Sequence, residues 1–406
     1  MNVLLVGSGG REHALAWRLS GSPSLGQLHA APGNPGIAEL GDCHPVRAED
    51  VEGLVELARA LDADLVVVGP EAPLVAGLAD ELRRAGIPVF GPGADAARIE
   101  GSKSYAKEVM AVAGVPTART LAVARPPCVL KADGLAQGKG VFVCRSQEEL
   151  DVGLRAARAL GQPVVIEELL EGDEISIFAL CDGSSALALP AAQDYKRAED
   201  GDRGPNTGGM GSLSPVPGYG PAEVEELVEG IHRPVIEELV RRRTPFVGAL
   251  FAGVMLTAEG PRVLEFNARF GDPEAQVLMP RLEDDLLEAL AAATDGDLPG
   301  IKLDVSPEAA VTVVAAAADY PEGSDAGSPI RGLADALEAG GLVFHAGTAL
   351  REGELVTNGG RILAVTGLGP TLSAARTRAY DALGKISFEG MRYRSDIAAL
   401  AAGVGA

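Results

Sequence analysis

Val263-Leu264-Glu265-Phe266-Asn267-Ala268-Arg269-Phe270-Gly271-Asp272-Pro273 is the stretch on which the reading of this chain turns. Val263 to Asn267 predicts a β-strand. Side chains alternate faces along a strand, so Glu265 and Asn267 point one way while Leu264 and Phe266 point into a core. A carboxylate and an amide oxygen side by side make a hard oxygen site, suited to Mg²⁺ carrying substrate phosphates. Arg269 follows at once, a planar fork for a carboxylate or phosphate. Gly271-Asp272-Pro273 then closes the run in a turn. An edge strand with a solvated Glu and Arg would carry the same letters, so the rest of the chain has to decide.

Outward from this run, the chain reads as α/β. Residues 1 to about 100 alternate strand and helix: strands at Val3–Val6, Leu65–Val68 and Ile87–Phe90, helices at Glu12–Leu19 and Leu78–Ala85. Such alternation predicts a parallel sheet with helices on its faces, binding ligands beyond the carboxyl ends of its strands. Residues 120–185 predict a smaller α+β lobe, with strands Cys128–Lys131 and Gly140–Cys144, a helix near Glu148–Leu160 and an apolar strand at Val164–Ile166. Asp200–Gly211 reads as a loop, 223–243 as a helix and Val247–Leu256 as a strand. Pro321–Ser328 resembles a linker, and 330–406 a final α/β piece with an Asn358-Gly359 turn before a strand at Arg361–Val365. The expected division is 1–100, 101–300 with a small lobe at about 119–185, and 301–406.

A chain of 406 residues exceeds one core of usual size. Its apolar fraction of 47% excludes a largely disordered protein. The formal net charge of −22 argues against nucleic acid or an anionic membrane as partner. Any anionic substrate must then be held by local Arg, Lys, metal or backbone N–H groups. Cys43, Cys128, Cys144 and Cys181 show no C-x-x-C spacing, so reduced thiols in a cytoplasmic protein are expected. Met1 leads directly into a strand, without a charged-then-apolar leader. The longest apolar stretch, Ala309–Ala318, is too short to span a bilayer.

Gly7-Ser8-Gly9-Gly10-Arg11-Glu12-His13 joins the first strand to its helix, where glycines let backbone N–H groups approach a phosphate. The dinucleotide fingerprint wants a third glycine where Glu12 stands, so a sugar phosphate fits better than a nicotinamide dinucleotide. His13 is expected to pack or cap. Lys103, Lys131 and Lys139 stand at helix-start, strand-end and glycine-rich positions that suit a triphosphate held from two sides, although each alone could be a solvated lysine. No P-loop motif occurs. Glu167 to Glu174 follows an apolar strand and reads as a hinge whose backbone could meet an adenine edge, or as an acidic surface turn. Gly204 to Gly211 could close over a substrate through its N–H groups or serve as a spacer.

Taken in order, these blocks resemble one family. Gly7 to Ala14, Ala31-Pro32-Gly33-Asn34, Val68 to Leu74, Lys131 to Ala136, Pro205 to Gly211, Glu265 to Glu274, Phe344 to Thr348 and Thr357 to Arg361 look like phosphoribosylamine–glycine ligase, of the ATP-grasp superfamily. The resemblance runs from Met1 to Ile397. It implies an amino-terminal Rossmann-like domain, a two-lobed ATP-grasp domain and a small carboxy-terminal α/β domain. It implies that ATP phosphorylates the glycine carboxylate and that the amine of 5-phosphoribosylamine attacks the acyl phosphate, in purine biosynthesis. Phosphoryl transfer needs positioning and charge neutralisation, which agrees with an inventory of metal ligands, Lys, Arg and glycine loops. By the same resemblance, Glu265 and Asn267 hold Mg²⁺ or Mn²⁺, and Lys103 and Lys131 contact ATP phosphates. Glu167 and Leu170 offer backbone groups to adenine, and Glu174 takes the ribose. Arg269 grips the glycine carboxylate or its acyl phosphate, with Asp194 near the glycine amine. Gly9, Gly10, Gly33, Asn34 and Glu71 hold the sugar phosphate, and Gly208 and Gly209 close over substrate. A cytoplasmic monomer is expected.

Three departures from the family pattern stand out. The helix end at Leu160 runs almost directly into Val164, so a glycine-rich flap looks deleted. Thr117 to Lys131 is short, so a helix looks missing. Val247–Leu256 lacks an acidic metal ligand, so a second metal would need another donor. Rival readings are another ATP-grasp ligase or carboxylase, which the Gly69 to Leu74 and Pro205 to Gly211 blocks fit less well, and a non-catalytic nucleotide-sensing subunit.

Overall fold

The computed structural model describes residues 1–135 and 140–403; Lys139 lies outside the described residues. Val3–Val6 and Leu65–Val68 are buried on both faces, which a sheet strand can be only when helices cover both sides. They form the centre of a five-stranded parallel sheet in the order Asp42–Cys43, Gln27–Pro32, Asn2–Gly7, Leu65–Val68, Val89–Phe90. Strand order reverses between Asn2–Gly7 and Leu65–Val68, which makes their carboxyl ends the natural ligand edge. Gly9, Gly10 and Glu71 all lie there.

The opening stretch falls in a four-stranded antiparallel sheet, in the order Ala186–Ala188, Asp173–Asp182, Val247–Thr257, Gly260–Asn267. Its last strand departs from strict alternation. Gly253 faces Glu265 and Val254 faces Val263, so Leu264 is an extra residue without an opposite number. This bulge corrects the expected face pattern: Val263 and Phe266 are buried, whereas Leu264 is only half-buried. Glu265 and Asn267, both beyond the bulge, still share a face.

The small lobe places Cys128–Ala132 between Val141–Cys144 and Val164–Glu168, with the helix Gln147–Ala159 beside it. Its fully buried core is Cys128, Leu130, Cys144 and Leu150. Only residues 160–163 join helix to strand, and residues 116–127 hold no helix. Both connections are therefore short in the fold. The 119–121 segment instead lies along Val164–Glu168: Leu121 N–H donates to Ile166 O at 2.8 Å and Glu168 N–H to Arg119 O at 3.0 Å.

A further five-stranded sheet crosses the expected boundary at 300. Its order is Gln193–Asp194, Gly211–Ser214, Ala309–Ala316, Arg361–Gly369, Leu342–His345. Several loop expectations change. The 200–211 loop contains a hairpin, Arg197–Glu199 with Arg203–Asn206, and then a strand. The 321–328 linker contains most of Asp325–Pro329, which pairs with Glu354–Gly359. Asn358 and Gly359 are within that strand, and Gly360 alone separates it from Arg361–Gly369; Glu352 and Gly353, both of positive φ, turn between Thr348–Arg351 and Glu354–Gly359 instead. Gly359 serves close packing instead: a Cβ on Gly347 would stand 2.8 Å from its Cα. The 223–243 helix is Pro221–Leu227 and Arg233–Arg241 joined by a π-turn at Val228–His232. Among the described residues, no helix is long and apolar enough to cross a membrane.

Candidate active site

Two lysines converge on the bulged strand. Lys103 opens the helix Lys103–Ala113, which Ser102 caps by accepting the Tyr105 N–H at 3.2 Å, and its Nζ lies 3.9 Å from Glu265 Oε2. Lys131 comes from the small lobe. Its Nζ donates to Leu264 O at 2.7 Å and pairs with Glu167 Oε2 at 2.8 Å. The bulge thus turns a main-chain carbonyl into an anchor for the lysine. Burial would raise the Glu265 pKa, but Lys103, Lys196, Lys131 and Arg269 outweigh it and hold the carboxylate below its usual range. Glu265 therefore stays ionised, and with the Asn267 amide oxygen it offers two oxygen donors. Among the described residues no three His, Cys, Asp or Glu side chains gather to hold a metal alone. That donor set fits an ion that takes its remaining oxygens from nucleotide phosphates.

The hinge needs a correction. Glu167 has a sheet neighbour on each side, Val129 and Thr120, so its main chain is enclosed and poorly placed to meet adenine. Its buried carboxylate instead bridges Lys131 and Lys107, the latter at 2.9 Å. Leu170 lies beyond the strand end, outside that enclosure. Glu174 pairs with Lys196. Burial raises the Asp194 pKa well above its usual range; Lys196 opposes the rise, while Glu274, Glu174 and Glu265 add to it. Asp194 thus lies in the field of Glu274, Glu174 and Glu265, with the Lys196 ammonium among them.

Arg269 is not the surface residue that the turn could have made it. Its guanidinium lies 3.2 Å from Glu71 Oε2 and 3.2 Å from Glu100 Oε1, and donates to Asn267 Oδ1 at 3.3 Å. Glu100 also accepts the Ala268 N–H at 2.7 Å. Burial raises the Glu100 pKa, whereas Arg269 and Arg11 overcome burial to lower that of Glu71. Asp272 pairs with Arg361 at 2.9 Å instead. Arg361 further donates to Gly208 O at 2.6 Å and Asp272 O at 2.9 Å, while Tyr320 Oη accepts the Gly208 N–H at 2.9 Å. A Cβ on Gly209, of positive φ, would stand 2.3 Å from Pro273 Cδ. Gly208 and Gly209 are therefore packed onto the Asp272 turn by the carboxy-terminal region.

The amino-terminal turn carries two corrections. Gly9 N–H donates to Glu12 Oε2 at 2.6 Å, so it is already satisfied and is not a free phosphate donor. Glu12 folds into the crevice at the strand switch: a Cβ on Gly69 would stand 2.1 Å from its Oε1. Asn34 is also committed. Its amide donates to Ser8 O at 2.8 Å and His345 O at 2.9 Å, and its oxygen accepts the Ile37 N–H at 3.0 Å. Gly33 supplies a positive φ beneath it and donates its N–H to Gly7 O at 3.0 Å. Gly10 abuts Gln276, since a Cβ there would stand 2.5 Å from Nε2. His13 packs as expected: it accepts the His345 N–H at 2.8 Å, and burial, then His345, lower its pKa to about 3.

Sequence reasoning missed Lys107, Glu100, Glu274 and the clamping role of Arg361. Lys107 carried a signal, because it lies four residues after Lys103 on one helix face. Glu100, at a helix end, carried none.

Three descriptions of one family match consecutive parts of the chain: the phosphoribosylglycinamide synthetase N domain over 1–100, its ATP-grasp (A) domain over 101–275 and its C domain over 310–400. A phosphoribosylamine–glycine ligase of Streptomyces coelicolor is 50% identical, covering 99% of this chain and 100% of its own. One of Rhizobium meliloti is also 50% identical, over 98% of both chains. The crystal structure of the Thermotoga maritima phosphoribosylamine–glycine ligase superposes with a TM-score of 0.85 at 35% identity, covering 98% of this chain and 100% of that one. The biotin carboxylase domain of Hydrogenobacter thermophilus 2-oxoglutarate carboxylase, solved with MgADP, shares the fold at a TM-score of 0.70 and 19% identity over 97% of this chain and 91% of that one.

Proposed function

This chain belongs to the phosphoribosylamine–glycine ligase family, an ATP-grasp family, and from that premise we propose which of its residues carry the reaction. The activity is the ATP-dependent ligation of glycine to 5-phosphoribosylamine, giving glycinamide ribonucleotide, ADP and phosphate. One observation carries the assignment: Glu265, Asn267, Arg269, Lys103 and Lys131 meet at the end of one bulged strand.

Glu265 and Asn267 would hold Mg²⁺ or Mn²⁺, which when bound would neutralise phosphate charge. Lys103 and Lys131 draw the triphosphate toward that strand. Leu170 and its neighbours beyond the hinge strand meet adenine, and Glu174 takes the ribose. Arg269, held on its far side by Glu71 and Glu100, orients the glycine carboxylate for phosphorylation and stays with the acyl phosphate as charge develops. Asp194, with Glu274 behind it, receives the glycine ammonium. The sugar phosphate is received between Gly10, Glu71, the Asp272 turn and Gly208-Gly209. Gly9, Gly33 and Asn34 shape that edge. The acidic surface supports a cytoplasmic enzyme without nucleic-acid or membrane partners, and we take it as a monomer.

Phosphate release measured with each substrate omitted in turn tests this reading. Release should require ATP, a divalent cation, glycine and 5-phosphoribosylamine together. Unchanged release without the sugar amine would overturn it.

A further inference from the structure

Glu167 has one carboxylate and two ammonium partners. Its Oε2 lies 2.8 Å from Lys131 Nζ, and its Oε1 lies 2.9 Å from Lys107 Nζ. The side chains of Glu167, Lys131 and Lys107 are only 3%, 6% and 13% exposed, so solvent screens the cluster little. Lys107 is also tied to the strip that joins the lobes: it donates to Thr117 Oγ1 at 3.4 Å and to Ala118 O. At one end of that strip Pro116 O accepts the Val263 N–H at 2.9 Å, on the strand that carries Glu265. At the other, the 119–121 segment lies along the strand that carries Glu167.

The charge count of this cluster has a consequence. A lysine paired one-to-one with a buried carboxylate makes a neutral unit and exerts little pull on a phosphate. With Lys107 present the cluster carries two positive charges and one negative, so a net positive charge remains. An ammonium has three N–H donors. Lys131 commits one to Leu264 O and sets its charge against Glu167 at 2.8 Å. At least one donor is left for a ligand.

We propose that Lys107 is a positioning residue for ATP: by taking half of the Glu167 carboxylate, it leaves Lys131 with both a charge and a donor for the nucleotide phosphates. Lys107 itself need not touch ATP. The role rests on the phosphate assignment of Lys131 made above.

The test is the Michaelis constant for ATP in phosphate release, with the dissociation constant of ADP by calorimetry beside it. Four variants are compared: Lys107→Met, Lys107→Arg, Lys131→Met and the double variant Lys107→Met/Glu167→Gln. Lys107→Met should raise the ATP constant about 10- to 100-fold, the size of one charged contact. The constants for glycine and 5-phosphoribosylamine should stay within about twofold. Lys107→Arg should keep most of the ATP affinity, since the charge remains. The decisive variant is the double one. With Glu167 neutralised, Lys131 no longer shares its charge with a carboxylate, so ATP affinity should recover despite the loss of a second buried group. A merely structural Lys107 predicts the opposite, a double variant at least as impaired as the single. A folded double variant, judged by its circular dichroism melt, that binds ADP no better than Lys107→Met overturns the proposal. So does a normal ATP constant in Lys107→Met alongside an impaired Lys131→Met. A normal ATP constant in Lys131→Met strikes the underlying phosphate assignment instead, and the two failures are thereby told apart.

Discussion

The two sides of the candidate site, a lysine wall and an arginine wall, are built from different cations on different foundations. The lysine wall, with Lys107 and Lys131, leans on a small lobe whose fully buried core is Cys128, Leu130, Cys144 and Leu150. The arginine wall, with Arg11, Arg269 and Arg361, stands where the amino-terminal helix, the bulged strand and the carboxy-terminal sheet meet. There each guanidinium is fixed by several partners: Arg11 by Glu12 at 2.6 Å and Phe270 O at 3.1 Å, Arg269 by Glu71 and Glu100, and Arg361 by Asp272 and glycine carbonyls. Under the proposed assignment, a planar fork suits the side that would hold a carboxylate in one orientation, and a compact ammonium the side that would follow a triphosphate. Regions with few buried apolar contacts also open at lower free energy, so the lysine wall should be the first to loosen.

The largest expected effect tests whether the two walls share one centre. Glu265→Gln removes the ionised donor between them and should cut turnover by ~10²–10³ while the fold stays intact. Normal turnover at saturating Mg²⁺ would mean that the centre lies elsewhere. Next comes the separation of the walls. Arg269→Lys keeps the charge and loses the fork, so kcat/KM for glycine should fall by roughly 2–4 kcal/mol with the ATP constant nearly unchanged. A collapse in ATP affinity instead would erase the distinction between the two sides.

A smaller effect concerns the seam behind the arginine wall. Burial lowers the pKa of His13 to about 3 and that of His345 to about 4, against 6.5 in the unfolded chain. The unfolded state therefore binds more protons as pH falls from 6.5 toward 4, and stability must fall over that window. Moving from pH 7 to pH 5 should cost about 2 kcal/mol for each histidine, and chemical denaturation at the two pH values reads it. A His13→Asn variant with the same acid sensitivity as the parent would remove this account. The smallest effect belongs to the lobe. Arg119, largely exposed, donates to Glu168 Oε2 at 2.7 Å. Arg119→Ala should leave global unfolding unchanged, because exposed ion pairs are weak. It should instead speed hydrogen exchange at Leu121 and Glu168, and equal protection in both proteins would show that the lobe edge does not depend on the pair.

Much of this contrast was legible in the letters. The alternating elements of residues 1–90 specified a parallel sheet because its central strands, Val3–Val6 and Leu65–Val68, are apolar on both faces. The order of the glycine-bearing blocks specified the family, and the spacing of Glu265, Asn267 and Arg269 specified a shared strand end. What stayed hidden depends on partners distant in sequence. Nothing near Glu100 announces that Arg269 will neutralise it, and nothing near Arg361 announces the Asp272 turn. The bulge at Leu264 was invisible because it is set by the register of the facing strand. Gly9 and Asn34 show a related limit: glycines and amides that shape a turn look the same as those that bind, until a neighbour such as Glu12 or His345 is seen against them.

The sheet that runs from Asp194 through Ser212 to Thr312 and Thr366 also fixes an order of events in the cell. Asp194 leaves the ribosome early, yet its short strand leans on Gly211–Ser214, and that strand leans on Ala309–Ala316. Arg361, which clamps Gly208, arrives later still. A nascent chain that ends before Ala309 therefore leaves the Asp194 strand without its supporting sheet and Gly208 without its clamp.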